Sequence, residues 1–243
     1  LYSHIEEFHP KTFKRLMKRI EEGRWDVVGG TWIQPDTNLP STETFSRHFA
    51  AAQNYFLERF GLKAHAAWAT DSFGHSAGLP EIFEAAGIDS FAFTRPNNEI
   101  LPLSKPAFWW RGQGGAKILS WRVPVGWYGC ERDAIEKTLD GYLSECAKYG
   151  LENVAFFFGL GDHGGGASRR QIEDIDNWAA KHPEVTLAYS TLHGYFDALR
   201  VYKSAAEAGA AHAALWVGNI YDRGLGVPKS RKDSAVWYEK AAD

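Results

Sequence analysis

The alternation of strand and helix is clearest in the stretch WATDSFGHSAGLPEIFEAAGIDSFAFTRP, residues 68–96. With the residues just before it, this stretch predicts a buried strand over 65–71, a helix over 78–86 and a second strand over 88–96. Outward from it, the same patterns predict helices over 10–22, 43–60, 131–149 and 168–181, and strands over 25–30, 116–124, 153–161 and 185–190. Such alternation predicts an α/β fold with a parallel sheet and helical crossovers.

Helix boundaries are marked in the helix over 43–60. Ser41 opens the sequence Ser-Thr-Glu-Thr, which is typical of a helix N-cap, and Gly61 follows the last apolar residue as a stop. Polar loops follow residues 30, 70, 94 and 161. Because functional groups in parallel α/β folds gather at the carboxyl ends of strands, we expect these loops to form an active-site rim.

Composition excludes several classes of function. The 243 residues carry a formal net charge of −3, so no basic surface for nucleic acid or anionic lipid is predicted. No apolar run approaches the roughly 18 residues of a membrane span, and the first residues lack the apolar region of a signal peptide. The two cysteines, Cys130 and Cys146, make no disulfide framework. We therefore expect a cytoplasmic protein.

Asp71 and His75 are the first candidate site residues. Asp71 ends a predicted buried strand, where a carboxylate can serve as a nucleophile, a general base or a metal ligand. His75 can ligate a metal, hydrogen-bond a sugar or cap the following helix. The spacing alone does not choose among these roles.

A second candidate is the glycine-rich segment FFFGLGDHGGGASRRQIED, residues 156–174. Here an apolar strand is predicted to deliver Asp162 and His163 into a loop where the backbone can approach a ligand closely. A phosphate cradle at the following helix is the rival interpretation, but the loop lacks a G-K-[ST] ending and a G-x-G-x-x-G pattern. A tight turn capped by Asp162 is a further alternative.

A third candidate is VVGGTWIQPDTNLPSTE, residues 27–43. Trp32 and Asp36 leave a predicted strand together, and an aromatic platform with a carboxylate suits a pyranose ring. The alternative places Trp32 in the core and makes Asp36 a turn residue beside Pro35.

The amino-acid composition of the chain changes after residue 197. The alanine-rich segment 198–243 consists of two predicted helical stretches around the turn DRGLGVPKS. It resembles a Sel-one-like repeat, a helix–turn–helix unit related to tetratricopeptide repeats. We therefore predict two domains, 1–197 and 198–243, and expect the second to bind a protein partner.

The three candidate segments share ordered motifs: G-R-W-x-x-V-G-G-x-W-x-x-P-D-x-N-L-P-S, D-S-F-G-H-S-A-x-L-P-x-I and G-x-G-D-x-G-G-G. Together, over about residues 5 to 195, they resemble the N-terminal catalytic domain of glycoside hydrolase family 38 α-mannosidases. The resemblance implies a distorted (β/α)₇ barrel, here incomplete, and retaining hydrolysis of α-mannosidic bonds in oligosaccharides or glycans.

The resemblance also implies roles for individual residues. Asp71 matches the nucleophile, which is also a ligand of the catalytic zinc, and Asp162 matches the acid/base region. The residues implied to line the sugar pocket are Trp32, Asp36, Phe73 and Arg95, with His163 as a candidate contact.

The family's other zinc ligands are a His-x-Asp motif on the first strand and a later histidine. We expect the first upstream of Leu1 and the second beyond the barrel portion that ends near 195. Asp71 is then the single expected ligand in this chain, and one carboxylate does not hold zinc tightly. Activity of the chain alone is therefore not predicted.

Two alternatives stay open at this point. A metal-dependent polysaccharide deacetylase-like barrel also uses Asp and His loops at strand ends, but it needs an H-x-x-x-H pair that the sequence lacks. A degenerate carbohydrate-binding barrel fused to a protein-interaction repeat requires no catalysis.

Overall fold

The computed structural model describes residues 1–126, 128–151, 153–160, 165–208, 231–232 and 235. The chain divides into two units, Leu1–Ala167 and Ser168–Asp243. The elements of the first unit are α1 (Tyr2–Phe8), α2 (Pro10–Glu21), α3 (Thr42–Phe60), β1 (Ala66–Ala69), α4 (Leu79–Ala85), β2 (Ser90–Phe93), β3 (Ala107–Arg111), β4 (Lys117–Arg122), a 3₁₀ turn (Arg132–Ala134) and α5 (Ile135–Ala147).

The second unit contains α6 (Arg169–Lys181) and α7 (Leu192–Ala208) among its described residues. Helix α7 continues through the predicted domain boundary at 197. Most of the predicted repeat, over 198–243, lies outside the described residues. The two-domain division and the repeat therefore stay predictions.

In the described part of the chain, four strands form one mixed sheet in the order β1-β2-β4-β3. Strands β1, β2 and β4 run parallel, as predicted, and Ala69, Phe93 and Arg122 form their last paired row. Strand β3 pairs antiparallel with β4 and was not predicted. Its signal is the glycine-rich turn GQGG at 112–115, which is typical of a hairpin. The closed barrel stays a prediction.

Three predicted strands are wrong over their described residues. Segment 25–30 is irregular because Gly29 and Gly30 have φ of 92° and 75°, which an extended strand does not tolerate, although the Gly29 N–H still donates to Ala66. Residues 153–160 form only an isolated bridge from Gly159 to Cys130, and 185–190 form no strand.

The helices predicted over 10–22, 43–60, 78–86, 131–149 and 168–181 are confirmed to within a few residues. Their caps explain where they begin and end. Ser41 Oγ accepts the N–H of Thr44 at 3.2 Å, and Gly61 closes α3 with φ of 70°. Ser168 and Gln171 form a capping box that starts α6. Helix α1 was not predicted, because its seven residues carry no buried stripe. No helix among the described residues is both long and apolar enough to cross a membrane.

The core of the first unit lies between one face of the sheet and three helices. Its sheet residues are alternate positions of β1, β2 and β4, as expected for strands. Its largest members are the aromatic side chains Phe13, Phe45, Phe49, Phe56, Phe83, Phe91 and Phe93, contributed by α2, α3, α4 and β2. On the opposite face, Trp68 packs against Phe157 with ring centroids 4.6 Å apart. The sheet is therefore held from both sides, which fixes the strand ends that carry the candidate site.

A buried amide joins α3 to the segment before β1 and to the end of α4. Gln53, 4% exposed, donates to the carbonyls of Ala64 and Ala86 at 2.7 and 3.2 Å and accepts the Ala64 N–H at 2.9 Å. We expect Gln53→Leu to lower the free energy of unfolding by about 2–4 kcal/mol, because three buried backbone groups lose their partner. Urea unfolding would measure the loss. Asn54→Leu, at an exposed position of the same helix, is the control and should cost far less. Equal losses would contradict the role of the amide.

Candidate active site

Asp71 and Arg95 lie at equivalent positions beyond neighbouring parallel strands. Ala69 pairs with Phe93 at the ends of β1 and β2, and each candidate follows its strand by two residues. The carboxyl ends of parallel strands meet at one edge of a sheet, so the register alone brings the two side chains together. The prediction that the loops after 70 and 94 share a rim is confirmed.

The two side chains form an ion pair. Arg95 Nη2 lies 3.1 Å from Asp71 Oδ1, with the side chains 28% and 38% exposed. That oxygen is shielded from solvent and has no hydrogen-bond partner among the described residues, so the contact is an attraction of charges without hydrogen-bond alignment. The exposed part of the Asp71 side chain therefore lies away from Oδ1. A ligand can reach the carboxylate from that side.

Phe73 covers the other face of the Arg95 guanidinium. The Arg95 Cζ atom lies 4.6 Å from the centroid of the Phe73 ring, within cation–π range. Phe73 is 74% exposed, so most of the ring still faces solvent. The structure thus brings together three of the predicted site residues, in the order Phe73, Arg95, Asp71.

His75 connects the loop after residue 30, the loop after β1 and the loop after β2. Its Nε2 lies 2.8 Å from the carbonyl oxygen of Arg95, and its Nδ1 lies 2.9 Å from Thr37 Oγ1. Burial lowers the pKa of His75 to about 4, since the charged imidazolium is poorly solvated there. The ring is therefore neutral at pH 7, and both nitrogens are already engaged. The metal-ligand and sugar-binding roles of His75 stay predictions, and Gly78, not His75, occupies the N-cap position of α4.

Further contacts tie the loop after residue 30 to the loop after β1. Thr70 Oγ1 donates to Gln34 Oε1 at 2.7 Å, and the Ser76 N–H donates to the carbonyl of Thr37 at 3.1 Å. Thr37 Oγ1 also lies very close to the carbonyl oxygen of Gly74. The loop after residue 30 therefore belongs to the same rim, as predicted.

Arg122 is a site residue that sequence reasoning missed. It ends β4, is 4% exposed and donates to the carbonyls of Pro96 and Leu101 and to Asn98 Oδ1, at 3.4, 2.5 and 2.5 Å. Its signal in the sequence is an arginine inside the otherwise apolar strand KILSWRVP. The guanidinium holds the loop that follows Arg95.

Asp36 and Trp32 lie in the same loop but face other partners. Asp36 Oδ1 accepts the N–H groups of Asn38 and Leu39 at 2.7 and 2.8 Å, which lowers its pKa. Asp36 is thus a turn residue, the second of its two interpretations. Trp32 is 44% exposed and packs edge-on against Tyr55, with centroids 5.4 Å apart. Their pocket roles stay predictions.

Asp162 and His163 lie outside the described residues. Their flanks approach each other closely: the Leu160 N–H donates to the carbonyl of Gly166, and a Cβ on Gly159 would stand 3.2 Å from the Ala167 nitrogen. The acid/base role of Asp162 and the sugar contact of His163 stay predictions.

The described residues do not fit a zinc site by themselves. Among them, no three His, Cys, Asp or Glu side chains lie close enough to hold a metal ion. Asp71 Oδ1 is a buried oxygen without a hydrogen bond, which suits a ligand atom, but its near neighbour is the cation of Arg95. Zinc needs about four ligands, so its site requires donors beyond the described residues.

Comparison with known families decides the ancestry. The family described as "Glycosyl hydrolases family 38 N-terminal domain" matches residues 1–218. This chain belongs to glycosyl hydrolase family 38. The family 38 match extends into the segment 198–243, where the Sel-one-like repeat was predicted. The predicted family is confirmed, and the deacetylase-like and non-catalytic alternatives are not favoured.

Relatives of this family 38 chain are named α-mannosidases. Alpha-mannosidase 2C1 of Homo sapiens is 29% identical over 218 residues, which cover 89% of this chain and 20% of that protein. Alpha-mannosidase of Saccharomyces cerevisiae is 32% identical over 174 residues, covering 70% of this chain and 16% of that protein. The family 38 chain thus spans a fifth or less of the length of these relatives.

A solved structure shares the fold. The crystal structure of an α-mannosidase from Enterococcus faecalis superposes with a TM-score of 0.67 at 20% identity. The superposition covers 80% of the family 38 chain and 22% of that structure. The likeness supports an α/β fold with a mixed sheet.

Proposed function

We propose that the protein carrying this chain is a retaining α-mannosidase that hydrolyses α-mannosidic bonds in oligosaccharides or glycans. The observation that carries the proposal is the Asp71 carboxylate, which follows the end of a parallel strand, has one oxygen against Arg95 and keeps 38% of its side chain exposed. Membership of family 38 adds the reaction class.

Asp71 is the proposed nucleophile. Its accessible side attacks the anomeric carbon, and the bond to the leaving oxygen breaks as the glycosyl–Asp71 ester forms. Asp162 is proposed to protonate that oxygen and then to take a proton from the water that hydrolyses the ester. Arg95 stabilises the negative charge of the carboxylate by the contact at 3.1 Å. The exposed ring of Phe73 offers a face for the sugar.

Zinc stays a proposal, with Asp71 as its ligand in the described part of the chain. Because those residues do not complete a metal site, no step above passes through the metal. We also propose a closed barrel, a cytoplasmic localisation and a protein-binding repeat over 198–243.

Turnover of an aryl α-mannoside tests the proposed function. We expect the protein carrying this chain to release nitrophenol from 4-nitrophenyl α-mannoside, with the α-glucoside as the matched control substrate. Proton NMR of the first product should show the α-anomer of mannose, since two displacements restore the configuration. A β-anomer would exclude the role of Asp71 as nucleophile, and turnover of the glucoside alone would exclude the mannosidase.

A further inference from the structure

We propose that His75 and Arg122 are positioning residues that hold segment 95–101 so that Arg95 meets Asp71. The two side chains, here called the loop clamp, reach this segment from different elements. His75 belongs to the loop after β1, and Arg122 ends β4. The catalytic consequence of the clamp rests on the proposed function, whereas its effect on the position of Arg95 does not.

The hydrogen-bond chemistry of His75 defines one tautomer. A carbonyl oxygen only accepts, so Nε2 must carry the proton that it donates to Arg95 at 2.8 Å. In the neutral ring Nδ1 is then an acceptor, and the Thr37 hydroxyl donates to it at 2.9 Å. Thr37 has one hydroxyl proton, so its contact with the carbonyl of Gly74 competes for the same donor. The imidazole therefore joins Thr37 to Arg95, with Nδ1 as the acceptor and Nε2 as the donor.

Arg122 holds the other part of the segment. Its planar guanidinium spans acceptors on Pro96, Asn98 and Leu101. A fork with several donors fixes position and orientation together, which a single ammonium group does not. Because Arg122 pairs with Phe93 in the last row of the sheet, the loop is anchored to the sheet itself.

The two anchors hold consecutive backbone carbonyls, beginning at Arg95. Its own carbonyl is held by the imidazole, and the carbonyl of Pro96 is held by the guanidinium of the loop clamp. The backbone from which the Arg95 side chain starts is thus fixed. Long arginine side chains lose rotamer freedom when they are ordered, and a fixed backbone leaves less freedom to lose. From this fixed backbone, the Arg95 side chain lies over Phe73 and reaches Asp71.

The first test observes the Arg95 side chain directly. In protein labelled with ¹⁵N-arginine, the Arg95 Nε–H signal is assigned by its loss in Arg95→Met. We expect it to be shifted from the signals of exposed arginines in the wild type and to move towards them in His75→Phe and in Arg122→Lys. His75→Gln, whose amide can still donate to the Arg95 carbonyl, should retain part of the shift. An unchanged signal in both clamp variants would overturn the proposal.

Matched control variants distinguish the loss of the loop clamp from a general loss of structure. His4→Phe and Arg111→Lys change the same residue types at exposed positions and should leave the Arg95 signal in place. The His75→Phe ring keeps its contacts with Phe91 and Phe93, which lie 5.0 and 4.9 Å away. Thr37→Val is the second variant if His75→Phe fails to fold, and it should shift the Arg95 signal in the same direction.

A double-mutant cycle tests the catalytic consequence. His75→Phe is expected to lower kcat/KM for 4-nitrophenyl α-mannoside roughly 10- to 100-fold, as for other small displacements of a catalytic group. In an Arg95→Met background the same change should have little further effect, because the contact of Arg95 with Asp71, through which His75 acts, is already removed. Full additivity would overturn the proposal. Absence of turnover in the wild type would sink the proposed function, while the NMR result would still decide the clamp.

Discussion

Asp71→Asn is expected to lower kcat for 4-nitrophenyl α-mannoside by on the order of 1000-fold or more. An amide does not replace a carboxylate as nucleophile, and removal of a nucleophile is among the most costly changes in an active site. The fold should survive, since the side chain is 38% exposed and its ion pair is not deeply buried. Steady-state kinetics with matched far-UV circular dichroism spectra would measure both.

Asp133→Asn is the matched control for the nucleophile. It makes the same change from carboxylate to amide at an exposed position of the 3₁₀ turn Arg132–Ala134, which has no part in the candidate site, so activity should change little. Retention of more than about a tenth of the wild-type kcat by Asp71→Asn would contradict the assignment, because residual catalysis without a nucleophile is far weaker.

Phe91→Ala is expected to give the largest loss of stability, about 3–5 kcal/mol. Phe91 is 1% exposed in β2, and its ring packs against Phe83, Phe93 and Trp110. Removing the ring leaves a cavity that neighbouring strands are too constrained to fill. Urea unfolding followed by tryptophan fluorescence would report the change.

Phe73→Ala provides the contrast for that experiment. The same side chain is deleted at a position that is 74% exposed, so the free energy of unfolding should change by less than about 1 kcal/mol. If the two alanine variants were equally stable, the assignment of the core around β2 would be wrong.

The sequence predicted the elements whose signals are local. Ser41 and Gly61 marked the ends of α3, and alternation around Asp71 located β1, α4 and β2. The expected strand over 25–30 failed because apolar residues cannot override two consecutive glycines with positive φ. Local pattern thus gives element type well where no glycine changes the backbone.

The candidate site shows the same difference between residues with a local sequence signal and residues whose contacts form only in the folded chain. The strand-end position identified Asp71 and the family resemblance supplied Arg95, and parallel register was enough to bring them together. The roles of His75 and Arg122 were not predicted because most of their partners are backbone carbonyls in a distant loop, and no residue type encodes a carbonyl. Such partners become visible only when the chain is folded.

The contacts made by His75 have a consequence for how this rim can change through evolution. One ring links the loops that contain Thr37, Gly74 and Arg95, so an insertion in any of them displaces a neighbour shared by the other two. We therefore expect these loops to diversify as a set. The turn at 112–115, which joins β3 to β4, takes no part in the hydrogen bonds of His75 and contacts α4 instead, where the Gly114 N–H donates to Glu81 Oε1 at 2.6 Å. An insertion in this turn would change its contact with α4 and leave the hydrogen bonds of His75 in place.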